Sequence, residues 1–159
     1  EYFIQAARRV LEKEQNVKFV VAGSGDLEPM MMGMAADYGI SDKVLFTGFL
    51  RGVEIDKAFA MADVYMMPSI SEPFGITPLE AMRNGTPCVI SKQSGVSEIL
   101  KHCFKVDFWD IDEMTNKILA VLHYDSLSHH IQENAYLEVK GFSWDDSARK
   151  CIEAYNRVT

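Results

Sequence analysis

Two carboxylates, Glu72 and Glu80, stand eight residues apart in the stretch SISEPFGITPLEAMRNGTP, Ser69 to Pro87. Between them run Pro73, Phe74, Gly75, Ile76, Thr77, Pro78 and Leu79. Gly75, Ile76 and Thr77 fall where a loop turns into a helix, and backbone amides at such a junction hold oxyanions, phosphate above all. Gly75 lets a ligand approach the backbone closely. A carboxylate in the first helical turn accepts hydrogen bonds from vicinal hydroxyls such as those of ribose. The plainer reading is structural. Thr77-Pro78-Leu79-Glu80 fits a capping box, with Thr77 at the N-cap, Pro78 at N1 and Glu80 bonding back to the Thr77 amide. That reading accounts for Glu80 as well as a ligand does. For Glu72 the plain reading is a solvated loop carboxylate, and packing alone gives little reason for the run Glu72 to Ile76.

The surrounding pattern supplies the elements that must position these residues. KFVVAG (18–23), KVLFTG (43–48), DVYMMP (63–68), PCVIS (87–91) and CFKVDF (103–108) are short apolar runs of strand type. Before and between them lie helical patterns: EYFIQAARRVLEK, LEPMMMGMAADYGI closing at Gly39, VEIDKAFAMA, TPLEAMRNG stopping at Asn84-Gly85, and the short VSEIL. Three consecutive helices follow, with start signals at Asp110 or Asp112, at Ser126 and at Ser143. This alternation predicts an α/β domain of about six parallel strands, doubly wound and Rossmann-like, with additional C-terminal helices. Ligands of such sheets bind beyond the carboxyl ends of the strands. The loops after Ala22, Thr47, Pro68 and Ser91 are therefore the places where a site is expected.

Composition narrows the function classes. The 159 residues suit one domain, and 48% hydrophobic content allows a core. The net charge of −7, with no basic run, argues against nucleic-acid partners. Three cysteines, Cys88, Cys103 and Cys151, with no close pair, fit a reducing cytosol better than a disulfide or zinc framework. No apolar run approaches the roughly 20 residues of a membrane span, and no signal peptide is visible. The expected location is cytoplasmic, at most peripheral to the inner face of a membrane. Because Glu1 opens directly on a helical pattern, a fragment of a longer protein is expected.

Taken together, ADVYMMPSISEPFGITPLEAMRNGTPCVIS (62–91) resembles the signature of the retaining GT-B glycosyltransferases of family 4 (group 1). Its core is E-x7-E, here Glu72 and Glu80, flanked by Pro68-Ser69, Pro73-Phe74-Gly75, Glu80-Ala81-Met82 and Gly85-Thr86-Pro87. FVVAGSG, VLFTGFL, SGVSEIL and the SWDDSARK helix extend the likeness over nearly the whole chain. The resemblance implies the C-terminal, donor-binding half of a two-domain enzyme. It implies transfer of a sugar from a nucleoside diphosphate to an acceptor hydroxyl, with retention and without metal or other cofactor. By the same resemblance Glu72 lies nearest the reacting carbon and holds hydroxyls of the transferred sugar. Glu80 holds the ribose, and the amides of Phe74, Gly75, Ile76 and Thr77 hold the distal phosphate or the sugar. The backbone of Gly48, Phe49 and Leu50 contacts the base, and Gly23 and Gly25 line the cleft floor.

The resemblance places an arginine and a lysine that clamp the pyrophosphate, the first strand of this domain and an N-terminal acceptor domain ahead of Glu1. An isolated chain of this extent is expected to lack turnover. The family's glycine-rich stretch after Glu98 is here KHCFKVDFWD, with no glycine, so the loop shape there is open. Other readings are a related GT-B enzyme (an epimerase or phosphorylase) and a flavodoxin-like binding module. No motif marks a Schiff-base lysine, and Asp63 precedes its strand, the wrong end for a phosphoacceptor. Weaker signals read as structure: Asp110-Ile111-Asp112 as a cap, His129-His130 as surface, Asn84-Gly85-Thr86 as a helix end. Met30, Met31, Met32 and Met34 are expected on the core or an inter-domain face. Trp144 is expected to anchor the last helix, with Trp109 packed beneath it.

Overall fold

A computed structural model describes residues 1–158. Five strands and seven α-helices alternate as the sequence pattern requires. They run α1 (Tyr2–Leu11), β1 (Phe19–Ala22), α2 (Glu28–Asp37), β2 (Val44–Gly48), α3 (Val53–Ala60), β3 (Tyr65–Met67), α4 (Thr77–Arg83), β4 (Cys88–Ser91) and β5 (Phe104–Val106). α5 (Ile111–His123), α6 (Asp125–Val139) and α7 (Trp144–Val158) follow, and short 3-10 turns cover Ser41–Lys43 and Gly95–Glu98.

All pairing within the named strands is parallel, so each crossover carries a helix or helical turn. The pairing falls into two ladders, β1 with β2 and β3-β4-β5, and no named ladder joins β1 to β3 among the described residues. The expected six strands are thus five. β4 is central to its ladder and its four residues are fully buried, as the continuous apolar run Cys88-Val89-Ile90 requires.

Two helices tie the ladders together. α1 buries Ile4, Ala7, Val10 and Leu11 with Phe19 and Val44 of the first ladder. Its Ala6 packs instead with Val89 and Val106 of the second. α5 likewise sends Ile118 and Leu119 to the first cluster and Met114 to the second. A third cluster, under α4 and α6, gathers Met67, Ala81, Met82, Cys88, Ile90, Val96 and Leu100.

The helix-start signals hold in part. Asp110 Oδ1 accepts from the Glu113 amide at 2.9 Å, so the D-x-D stretch is a cap. Ser143 Oγ accepts from the Asp146 amide at 3.0 Å and donates to its carboxylate at 2.9 Å. Ser126, in contrast, lies inside α6, which begins at Asp125. Gly39 and Gly85 close α2 and α4 with φ of +68° and +80°. Met31 and Met34 pack on the core, while Met30 and Met32 are exposed. The tryptophans correct an expectation. α7 buries none of its residues, Trp144 is 78% exposed, and Trp109 meets Phe108 edge-on at 4.7 Å instead of lying under α7. Trp144 therefore anchors nothing, because no element covers its ring.

The glycine-free stretch after Glu98 is held by a charge instead. Glu138 of α6 accepts from the amides of Lys101 (2.9 Å) and His102 (2.9 Å) and contacts the His102 ring at 3.0 Å. Such charge-assisted bonds are stronger than neutral ones and fix the turn without special backbone angles.

Candidate functional site

The predicted residues gather in two loop pairs, each at the carboxyl ends of neighbouring strands. After β1 and β2, the Gly23 amide donates to the Gly48 carbonyl at 2.7 Å. Both glycines have positive φ, +127° and +68°, so the close crossing needs them. Phe49 follows at 67% exposure, with the Arg51 guanidinium 5.3 Å from its ring centre. Leu50 is half-buried; Gly25 is exposed with open space around it.

After β3 and β4 a second clasp forms. The Gly95 amide donates to the Glu72 carbonyl at 2.9 Å, and the Val96 amide donates to the Phe74 carbonyl at 2.7 Å. Glu72 and Ser94 thereby form a parallel bridge outside the named strands. A Cβ on Gly95 would lie 2.1 Å from the Pro73 carbonyl oxygen, so only glycine fits. Gly75 is buried at φ +93°, and a Cβ there would press on Glu72 Cγ and Met67 Cε at 3.1 Å. The loop carrying Glu72 is thus held by backbone on one side and by its own close packing on the other.

Glu72 is half-buried, and its Oε1 lies 3.4 Å from the Phe74 amide, a long contact. The amides of Gly75, Ile76 and Thr77 donate to no group among the described residues. Three successive unpaired donors beside a half-buried carboxylate are the groups an oxyanion with attached hydroxyls would satisfy.

The expected capping box at Thr77 does not form. The helical backbone begins one residue earlier, with Ile76 at the N-cap (φ −77°, ψ −30°), and no side chain caps it. The Thr77 hydroxyl is occupied elsewhere: it accepts from the Tyr65 hydroxyl at 2.8 Å and faces Met67 Sδ at 3.7 Å. The carboxylate of half-buried Glu80 bonds to no side chain or amide among the described residues, while its backbone carbonyl is engaged by Asn84. Its structural role as a cap is gone.

Three contributors were not singled out by the sequence pattern. Tyr65 sits under the turn, its ring edge-on to Phe59 at 5.3 Å. Burial, with smaller pushes from Cys88, Glu80 and Glu72, sends its phenol pKa up to about 12. Asp56 of α3 accepts from Arg83 Nη2 at 2.8 Å and from Asn84 Nδ2 at 3.1 Å, which ties α3 to the end of α4. At the ends of β4 and β5, Asp107 accepts from Lys92 Nζ at 2.7 Å and Gln93 Nε2 at 2.9 Å. A tyrosine in an apolar strand run was the one sequence signal for the first; the others carry none.

A surface cavity of about 440 Å³ lies apart from both loop pairs, lined by Gln5, Arg8, Arg9, Tyr38, Trp109 and Asp110. Among the described residues no group of three or more His, Cys, Asp or Glu side chains is placed to hold a metal ion. No described helix is long and apolar enough to cross a membrane.

Comparison with known proteins places this arrangement. The chain is 37% identical over 160 residues to an uncharacterized glycosyltransferase of Methanocaldococcus jannaschii, matching 98% of this chain and 40% of that protein. It spans 40% or less of the length of this and other curated relatives it matches, down to 18% for a mannosyltransferase of Escherichia coli. Among solved structures, a mutant of S. aureus TarM in complex with UDP and other ligands superposes with a TM-score of 0.86 at 21% identity, over 98% of this chain and 32% of that one. The C-terminal domain of a group 1 family glycosyl transferase from Francisella tularensis gives 0.79 at 24% identity, over 87% and 76% of the two chains. These two likenesses carry the fold. The family model described as "Glycosyl transferases group 1" matches residues 1–138, and the chain belongs to that family of glycosyltransferases.

Proposed function

We propose that this chain is the donor-binding half of a retaining glycosyltransferase, whose donor is a nucleoside diphosphate sugar. The observation that carries the reading is the turn itself. The unpaired amides of Gly75, Ile76 and Thr77 stand between Glu72 and Glu80, two half-buried carboxylates with few or no internal partners. Such a donor offers both complements, phosphate oxygens for the amides and hydroxyls for the carboxylates. Glu80 takes the ribose hydroxyls. Glu72 takes hydroxyls of the transferred sugar and stands nearest its anomeric carbon. The Gly48–Leu50 backbone meets the base, with Gly23 and Gly25 beneath.

In the reaction the bond between sugar carbon and phosphate oxygen breaks, the nucleoside diphosphate leaves with the electron pair, an acceptor hydroxyl oxygen takes its place, and the proton of that hydroxyl passes to the departing phosphate oxygen. Charge that grows on the leaving phosphate is met by amides already in position, a stabilisation that requires no metal. This reading assigns the chain the donor only, and tested alone it is expected to turn over no nucleotide sugar. Crystallised S. aureus TarM contained UDP, which agrees in ligand class.

Calorimetry with UDP, GDP and ADP, each with and without sugar, tests the reading. A bound diphosphate at about 100 times its Kd raises stability by about 2.7 kcal/mol. Glu80→Ala is expected to weaken that binding while changing stability by less than about 0.5 kcal/mol, because Glu80 caps nothing. A loss of about 1 kcal/mol in stability with unchanged binding would restore the capping role instead.

A further inference from the structure

On the donor-site reading above rests a more specific assignment: we propose that Tyr65 is a positioning residue, which presents the Thr77 hydroxyl as a donor to a phosphate oxygen of the bound nucleotide. Tyr65 ends its hydroxyl 2.8 Å from Thr77 Oγ1 and donates to it. The phenol is fixed from the other side by the edge-on Phe59 ring. Burial above all, with smaller pushes from Glu80 and Glu72, disfavours a phenolate, so the tyrosine keeps the proton that it donates to Thr77.

This leaves the Thr77 proton to find an acceptor. Its partner in the absence of ligand is Met67 Sδ at 3.7 Å, and a thioether is a weak acceptor. Thr77 itself is exposed, and the amides of Gly75, Ile76 and Thr77 beside it are unpaired. An oxyanion settling on those amides offers the Thr77 proton a far stronger acceptor than sulfur. A hydroxyl that already accepts a hydrogen bond donates more strongly, so the chain Tyr65 to Thr77 to phosphate reinforces itself. Met67 also packs against the Gly75 position, which places sulfur, turn and hydroxyl in one contact set.

The test is a double-mutant cycle with Tyr65→Phe and Thr77→Val, read by calorimetry against UDP, GDP, ADP and their nucleosides. Tyr65→Phe keeps the ring and its Phe59 contact, and thermal melts check that the fold is kept. Expected is a loss of about fivefold in affinity for the diphosphate that binds, the worth of one hydrogen bond, with the nucleoside changed less than about twofold. In the Thr77→Val background Tyr65→Phe is expected to add nothing further. Equal losses for nucleoside and diphosphate, additive losses, or no loss would overturn the assignment while the donor site stands. If the unsubstituted chain binds none of the three diphosphates, the donor-site reading falls and this assignment with it.

Discussion

At the residue scale, the site depends on glycines whose reasons differ. Gly95 is glycine because the Pro73 carbonyl oxygen would lie 2.1 Å from a Cβ, and that oxygen belongs to backbone which cannot swing aside. Gly95→Ala is therefore expected to cost about 1–3 kcal/mol, as overpacking does. It should also break the clasp of its amide on the Glu72 carbonyl and so move Glu72. Urea unfolding would show the lowered midpoint, and calorimetry a matching loss of nucleotide binding. Gly25 makes the opposite case. It has open space around it and no positive φ, so Gly25→Ala is expected to stay within about 0.5 kcal/mol of the parent. If it still weakens nucleotide binding, the glycine serves ligand approach. If stability falls as far as for Gly95→Ala, the assigned difference between the two glycines is wrong. Glu72 and Glu80 stood out in the sequence through the motifs that flank them more than through their spacing. That Glu80 is no cap was not legible, because the competing partner of Thr77 is a tyrosine of β3, twelve residues away.

At the element scale, α4 has seven residues, too few to be stable alone, so its neighbours must hold it. They do so through polar ties at its end. Asp56 takes Arg83 and Asn84, Gln132 donates to the Gly85 carbonyl, and the Thr86 hydroxyl donates to Phe59 O at 2.7 Å. The Asn84 amide first, then Arg83, holds the Asp56 carboxyl below the usual range. A carboxyl depressed in the folded state contributes stability above its unfolded pKa of about 3.9 and loses it as pH falls through the folded value. Melting temperatures of the parent and of Asp56→Asn should therefore differ by a constant amount from pH 7 to about pH 5, with the gap closing below about pH 4. A gap that keeps its full size in acid would mean that the charge of Asp56 does not matter. Element positions were largely readable, since Phe19–Ala22, Val44–Gly48 and Cys88–Ser91 are apolar runs of strand type, but of these only Cys88–Ser91 is buried throughout, while Val20 and Leu45 of the first ladder are exposed. The ties between elements were not. Asp56 and Arg83 are 27 residues apart, and nothing in either residue type announces the other.

At the scale of the whole molecule, the ladders β2-β1 and β3-β4-β5 share the helices α1 and α5 but no pairing between β1 and β3. Val64 and Met66, beside and within β3, border both the first cluster and the β4-β5 cluster, so the two ladders belong to one core. A doubly wound sheet has strand order 3-2-1-4-5-6. With β1 and β2 as the second and third strands and β3 to β5 as the fourth to sixth, the position between β1 and β3 is that of the first strand. In a right-handed βαβ unit that strand precedes α1 in the chain and pairs parallel with β1. This makes a strand ahead of α1 the element that would turn two ladders into one sheet and bring both loop pairs onto one edge. A chain that carries a parallel strand ahead of α1 is expected to melt at a higher temperature. It should also slow hydrogen exchange at the β1 and β3 amides that make no ladder bond, since those donors gain partners. Nucleotide affinity should rise in the same chain, because the Gly48–Leu50 backbone and the Glu72 turn would then be held in a fixed relation. Exchange that quickens or stays unchanged at β1 and β3 in that chain would refute the strand order, whatever happens to the melting temperature.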